Sequence, residues 1–124
     1  MNKNKCAEHI RQINLLSAEK QQYLYGKCDE WCLNHFKTGF EIVAIMQSDN
    51  SKNGIIHCYI RNPKTEHCYD VRGEFDNNVD ILTYTGIDYN SDTIKEHVFN
   101  TISDFKTFLH WIDSEIIREE FLVN

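Results

Sequence analysis

Three residues whose types cooperate in nucleophilic chemistry occur in order along the chain: Cys28, His57 and Asp70. A thiolate attacks a carbonyl carbon. An imidazole takes the thiol's proton and returns it to a leaving group, while a carboxylate fixes the imidazole's tautomer and stabilises its charged form. Cys28 stands where a helix is expected to begin, and the aligned peptide dipoles and unpaired N–H groups of a helix N-terminus favour the thiolate. The backbone N–H of Cys28 would face a developing oxyanion, with the neutral amide of Gln21 or Gln22 as a second donor. Asp29 follows Cys28 directly, and an acid so placed raises a thiol's pKa.

The elements that must position this trio read as helical, then extended, then helical. Apolar spacing at Ile10, Ile13 and Leu16 predicts a helix from about Lys5 to Leu16, and Ser17 looks like the cap of a second, short helix running toward Leu24 and broken by Gly26. Trp31, Cys32, Leu33 and Phe36 form a stripe that predicts a helix over Asp29 to Phe36, stopped by Gly39, with Cys28 at its start. Phe40 to Met46 is a β-branched apolar run and reads as a buried strand. Ile55 to Arg61 and Glu66 to Arg72 flank Asn62-Pro63-Lys64-Thr65, a turn with proline at its second position, and so read as a hairpin. That turn places Arg61 opposite Glu66 and His57 opposite Asp70, with Cβ atoms about 5 Å apart. The other face then carries Ile56, Cys58, Ile60, Tyr69 and Val71. Gln47 to Gly54 and Asn77 to Ser91 read as loops. A stripe of Phe105, Phe108, Leu109, Ile112, Ile116 and Ile117 predicts a closing amphipathic helix from about Ser103 to Phe121. The expected class is α+β, with helices packed on an antiparallel sheet of three to five strands.

Composition limits what such a domain does. The chain has 124 residues, of which 41% are hydrophobic, enough for one domain over residues 1–124 with one modest core. No apolar stretch approaches the roughly 20 residues needed to cross a bilayer, and the polar start lacks a signal peptide's apolar centre, so a cytoplasmic location without membrane partners is expected. The five cysteines are an odd number, which fits reduced thiols rather than a disulfide framework. A formal net charge of −6 with mixed signs argues against nucleic acid as a partner.

The motifs Gly26-Lys27-Cys28, Phe40 to Met46, His57-Cys58-Tyr59 and Tyr69-Asp70-Val71-Arg72-Gly73 together resemble the papain-like cysteine hydrolase superfamily, especially its small bacterial and phage members. The likeness covers roughly residues 20 to 75. It implies a papain-like fold in which a Cys-bearing helix packs on the sheet, with Cys28 as nucleophile, His57 as base and Asp70 as the orienting acid. It also implies that Gln22 serves as the oxyanion glutamine and that no cofactor is needed. The activity implied is that of a cysteine-dependent hydrolase or acyl transferase acting on an amide bond (peptide, isopeptide or glutamine side-chain) of a protein or peptide substrate, in a peptidase, an amidase or deamidase, or a toxin or effector.

Two other readings belong beside this one. His57-Cys58 and His67-Cys68 repeat a His-Cys pair across the hairpin, but adjacent strand residues point to opposite faces, so neither pair chelates as a unit, and no metal is expected. The acidic balance also suits a non-catalytic binding protein, of the inhibitor or immunity type, steered toward a basic target.

Overall fold

The computed structural model describes residues 11, 15–24, 27–47, 55–85 and 94–110. Most of the helix expected at Lys5 to Leu16, and the closing helix beyond residue 110, lie outside them.

The first helix, α1 (Ala18–Gln21), is capped as its sequence requires, with Ser17 Oγ accepting from the Lys20 N–H at 3.3 Å. Helix α2 (Cys28–His35) has Cys28 as its first residue. The chain then reverses through Gly39, whose φ of +95° is one that side chains disfavour. Strands β1 (Glu41–Gln47) and β2 (Ile55–Arg61) follow, then the short strands β3 (Cys68–Asp70) and β4 (Gly73–Phe75). Helix α3 (Asn78–Leu82), capped by the Asn77 side chain, runs into a 3-10 turn at Thr83–Thr85. Strand β5 (Ile94–Phe99) and helix α4 (residues 102–110) complete the described chain.

The strands form one antiparallel sheet in the order β4-β3-β2-β1-β5. Strand β1 lies inside it, and Ile42 to Met46 are all buried. A continuous apolar run is what a strand covered on both faces requires. On one face Ile42, Ala44, Cys58 and Ile60 pack against Cys28 and Cys32 of α2 and Phe105 of α4. On the other, Val43, Ile45, Tyr59 and Cys68 pack against Ile81 and Leu82 of α3. The ladder explains this split, because Ala44 faces Cys58 and Ile42 faces Ile60, whereas Val43 faces Tyr59 and Ile45 faces His57. The α+β class with an antiparallel sheet is as the sequence predicts, with helices on both faces.

Three expectations change. The hairpin register moves by two residues, so that Arg61 faces Cys68 rather than Glu66. The turn extends beyond Thr65: Asn62 donates its N–H to the His67 carbonyl at 2.9 Å, Glu66 donates to the Asn62 carbonyl at 2.8 Å, and Glu66 takes a left-handed φ of 66°. Second, the ladder shifts between Ile45 and Met46, which face His57 and Ile55, leaving Ile56 as a bulge. A bulge re-aims side chains, and Ile56 packs with Val43 and Tyr59 instead of with Cys58. Val71 also leaves the expected face and packs against Leu24 and Tyr84. Third, β4 and α3 occupy a segment that shows no clear periodicity, being three and five residues long. β5 is masked in the sequence by Lys95 and Glu96, charges typical of an edge strand.

Phe105 is fully buried, with its ring centroid 5.4 Å from that of Phe99. Phe105→Ala is expected to lower unfolding stability by about 3–5 kcal/mol through lost burial and the cavity left behind, read from urea denaturation.

Candidate active site

The helix start, the bulged strand and the short third strand converge. Cys28, His57 and Asp70 are 7%, 0% and 3% exposed. The His57 Nε2 lies 2.9 Å from Asp70 Oδ2. Because side chains alternate with a period of two, the two-residue shift in register keeps both residues on one face. They meet as diagonal rather than directly opposed neighbours, a separation that long side chains span.

Asp70 is held from several sides. Its Oδ1 accepts the Arg72 backbone N–H at 2.8 Å and Arg72 Nε at 3.1 Å, and the Arg72 Nη2 binds Oδ2. The same Nη2 reaches the Ile81 carbonyl at 2.7 Å, and the guanidinium carbon lies 4.6 Å from the ring centroids of both Phe75 and Tyr84. Burial pushes the Asp70 pKa up, but hydrogen bonds from His57 and Arg72 outweigh it and hold the carboxylate below its usual range. Burial acts to lower the His57 pKa, yet hydrogen bonding to Asp70 and to Cys28 raises it overall.

Cys28 opens α2, whose N-cap Lys27 makes no side-chain capping bond. The thiol pKa is lowered to about 5: hydrogen bonding with the Cys58 thiol is the largest cause, burial opposes it, and hydrogen bonding and charge attraction from His57 add to the lowering. Cys58 moves the other way, raised first by its burial and then by its hydrogen bond to Cys28. The two thiols thus shift apart, Cys28 toward the thiolate and Cys58 toward the neutral thiol. Asp29 does not reverse this; its own pKa rises, through burial and then through repulsion by Cys28. Cys32 packs in the core, its pKa raised by burial.

Cys58 and His57 are neighbours on β2 that face opposite sides of the sheet, yet Cys28 meets both. The β2–β3 ladder comprises Ile60 with Tyr69 and Arg61 with Cys68. The first half of β2 has no β3 partner there, and α2 packs against both strands. That gap brings one thiol to two alternating residues.

Of the two glutamines, Gln21 donates its side-chain amide to the Leu16 carbonyl at 2.9 Å. Gln22 ends α1, and its carbonyl accepts the Lys27 N–H at 2.9 Å, tying it beside the start of α2. Tyr84 and Arg72 are partners that the sequence does not single out. The Tyr84 hydroxyl donates to the Leu24 carbonyl at 3.2 Å and lies 3.0 Å from His57 Nδ1. Arg72 carried a signal, since it stands two residues from Asp70; Tyr84 carried none. Beyond Trp31, one turn along α2 from Cys28, a recess of about 270 Å³ is lined by Trp31, His35, Lys37, Phe40, Ile60 and Tyr69. Among the described residues no group of three or more His, Cys, Asp or Glu is placed to hold a metal ion, and no helix is long and apolar enough to cross a membrane.

No family model, curated protein or solved structure matches the chain. What the site can do is therefore argued from its own geometry.

Removing Asp70 leaves Arg72 and His57 buried without their anion. Asp70→Ala is expected to cost about 3–5 kcal/mol of stability, read from urea unfolding at pH 7. A carboxylate whose folded pKa is depressed stabilises above its unfolded pKa of 3.8 and loses that contribution as pH falls through the lower folded value. The wild type's lead over Asp70→Asn is thus expected to shrink below about pH 4; parallel curves would contradict the assignment.

Proposed function

We propose that this chain is a papain-like cysteine-dependent hydrolase or acyl transferase acting on an amide bond of a protein or peptide. The observation that carries the reading is the buried His57–Asp70 pair, 2.9 Å between Nε2 and Oδ2, beside a helix-terminal thiol whose pKa is lowered to about 5. A strongly perturbed thiol with a specific charged partner marks a functional site more often than a packing site.

In this reading the Cys28 thiolate attacks the amide carbonyl carbon, and the oxyanion of the tetrahedral intermediate takes hydrogen bonds from the Cys28 backbone N–H and from Gln22. His57 gives its proton to the leaving nitrogen as the C–N bond breaks, leaving a thioester on Cys28. Water completes hydrolysis or deamidation, and an amine completes acyl transfer. Asp70 keeps the imidazole oriented and its charged form stable. The recess at Trp31 is suited to an apolar side chain of the substrate, with Lys37 at its edge. No resident cofactor enters these steps.

A second reading, a non-catalytic acidic binding domain of the same fold, draws on the depth of the trio, with the His57 ring fully covered. One experiment separates the two: iodoacetamide modification against pH, resolved by cysteine with mass spectrometry, on the wild type and on His57→Ala. The catalytic reading expects Cys28 to react fastest, with a midpoint near 5 that moves toward the ordinary thiol value of about 8.5 when His57 is removed. If Cys28 is inert or titrates ordinarily in both proteins, the enzyme reading fails. Capture of a basic protein partner then becomes the informative measurement.

A further inference from the structure

Tyr84 has no part in the chemistry above, yet it meets His57 at the ring nitrogen that Asp70 leaves. An ionised carboxylate only accepts hydrogen bonds, so the 2.9 Å contact from Nε2 to Asp70 requires a proton on Nε2. A backbone carbonyl likewise only accepts, so the 3.2 Å bond to the Leu24 carbonyl uses the single hydroxyl proton of Tyr84. The Tyr84 oxygen then has only lone pairs to offer toward Nδ1, 3.0 Å away. A hydrogen bond there forms when Nδ1 carries a proton as well, and a ring protonated at both nitrogens is imidazolium.

We propose that Tyr84, oriented by the Leu24 carbonyl, is a positioning residue that holds His57 as the imidazolium and so keeps Cys28 a thiolate before substrate arrives. The proposal rests on the Cys28–His57 pair described above and adds to it a residue from the opposite layer of the fold. The proton balance is simple: the Cys28 S–H bond breaks and an N–H bond forms at His57 Nδ1, with the Tyr84 oxygen accepting from it. The charges of Cys28, His57, Asp70 and Arg72 then sum to zero, a condition under which buried ions persist.

The surroundings support that state. The His57 and Tyr84 rings meet edge to face at 5.3 Å and 85°, and the Arg72 guanidinium stacked on Tyr84 fixes its plane. From β2, Cys58 faces Cys28 as a neutral thiol, and the Tyr59 ring lies 6.1 Å from that of His57. From α2 come Cys32, also neutral, and Asp29, whose charge opposes the thiolate. Only Tyr84 offers Nδ1 an uncharged oxygen acceptor among these groups.

The test uses the full chain with 15N-labelled histidine, following the His57 nitrogens by NMR from pH 5 to 8 beside cysteine-resolved alkylation. The wild type is expected to show both nitrogens protonated at pH 6.5. In Tyr84→Phe the Cys28 midpoint should rise by at least about one pH unit, which lowers the alkylation rate about twofold at pH 6 and about tenfold at pH 4, below both midpoints. Replacing Tyr84 with 4-aminophenylalanine keeps an N–H donor for Leu24 but offers a poor acceptor, and should shift the midpoint the same way even if the phenylalanine variant fails to fold. An Nδ1 without a proton in the wild type while Cys28 alkylates at low pH overturns the role of Tyr84 and leaves the Cys28–His57 pair standing, as does an unmoved midpoint in the substituted proteins. A wild-type Cys28 that titrates ordinarily overturns the pair and the proposal together.

Discussion

A carboxylate taken out of water loses several kcal/mol of hydration unless donors surround it, and the rest of this structure is arranged around meeting that demand at Asp70. The donors come from three directions: the imidazole of β2, the guanidinium of Arg72 and the backbone N–H of Arg72. The last of these requires the chain to turn at once after β3, and the turn reaches β4 through Gly73 at a φ of +115°, where a side chain would be strained. Arg72 in turn needs partners, and it finds the Ile81 carbonyl and the faces of Phe75 and Tyr84. The short segment from β3 to the 3-10 turn is thus shaped by one buried charge more than by its own modest apolar content.

The sheet answers a second constraint, that a helix-borne thiol on one face must share a neighbourhood with a histidine on the other. A regular ladder keeps such residues apart. Here the bulge at Ile56 and the early end of the β2–β3 pairing open the sheet beside His57. Local departures from regular pairing beside His57, with buried Ile42 to Met46 behind them, give a well-packed frame with an irregular margin.

Much of this was legible in the sequence where the signal is local. The Ser17 cap, the Gly39 stop, the apolar run of β1 and the extent of β2 follow from short-range patterns, and so does Cys28 at a helix start. The hairpin register lies two residues from the expected one because Asn62-Pro63 marks where a turn begins but not how far it runs, and Glu66 gives no sign of its left-handed backbone. The pairing of His57 with Asp70 survives that shift only because two is the side-chain period. Tyr84 lies 27 residues from His57, in the segment Asn77 to Ser91 that reads as a loop because its helix is too short to show periodicity. Arg72 stands two residues from Asp70, but that its guanidinium turns back onto the carboxylate becomes visible only once Asp70 is known to be buried.

The low pKa of Cys28 draws on Cys58 and, against the opposing effect of burial, on His57, which is itself held by Asp70. These groups come together only when helix α2 has docked on strands β2 and β3. On an emerging or unfolded chain the same thiol has its ordinary pKa, about 8.5, and is mostly protonated near neutral pH, hence a poor target for peroxide or stray disulfide exchange. Completion of the fold is therefore what lowers the pKa of this thiol, and before folding or during transient unfolding it has no such bias toward the thiolate.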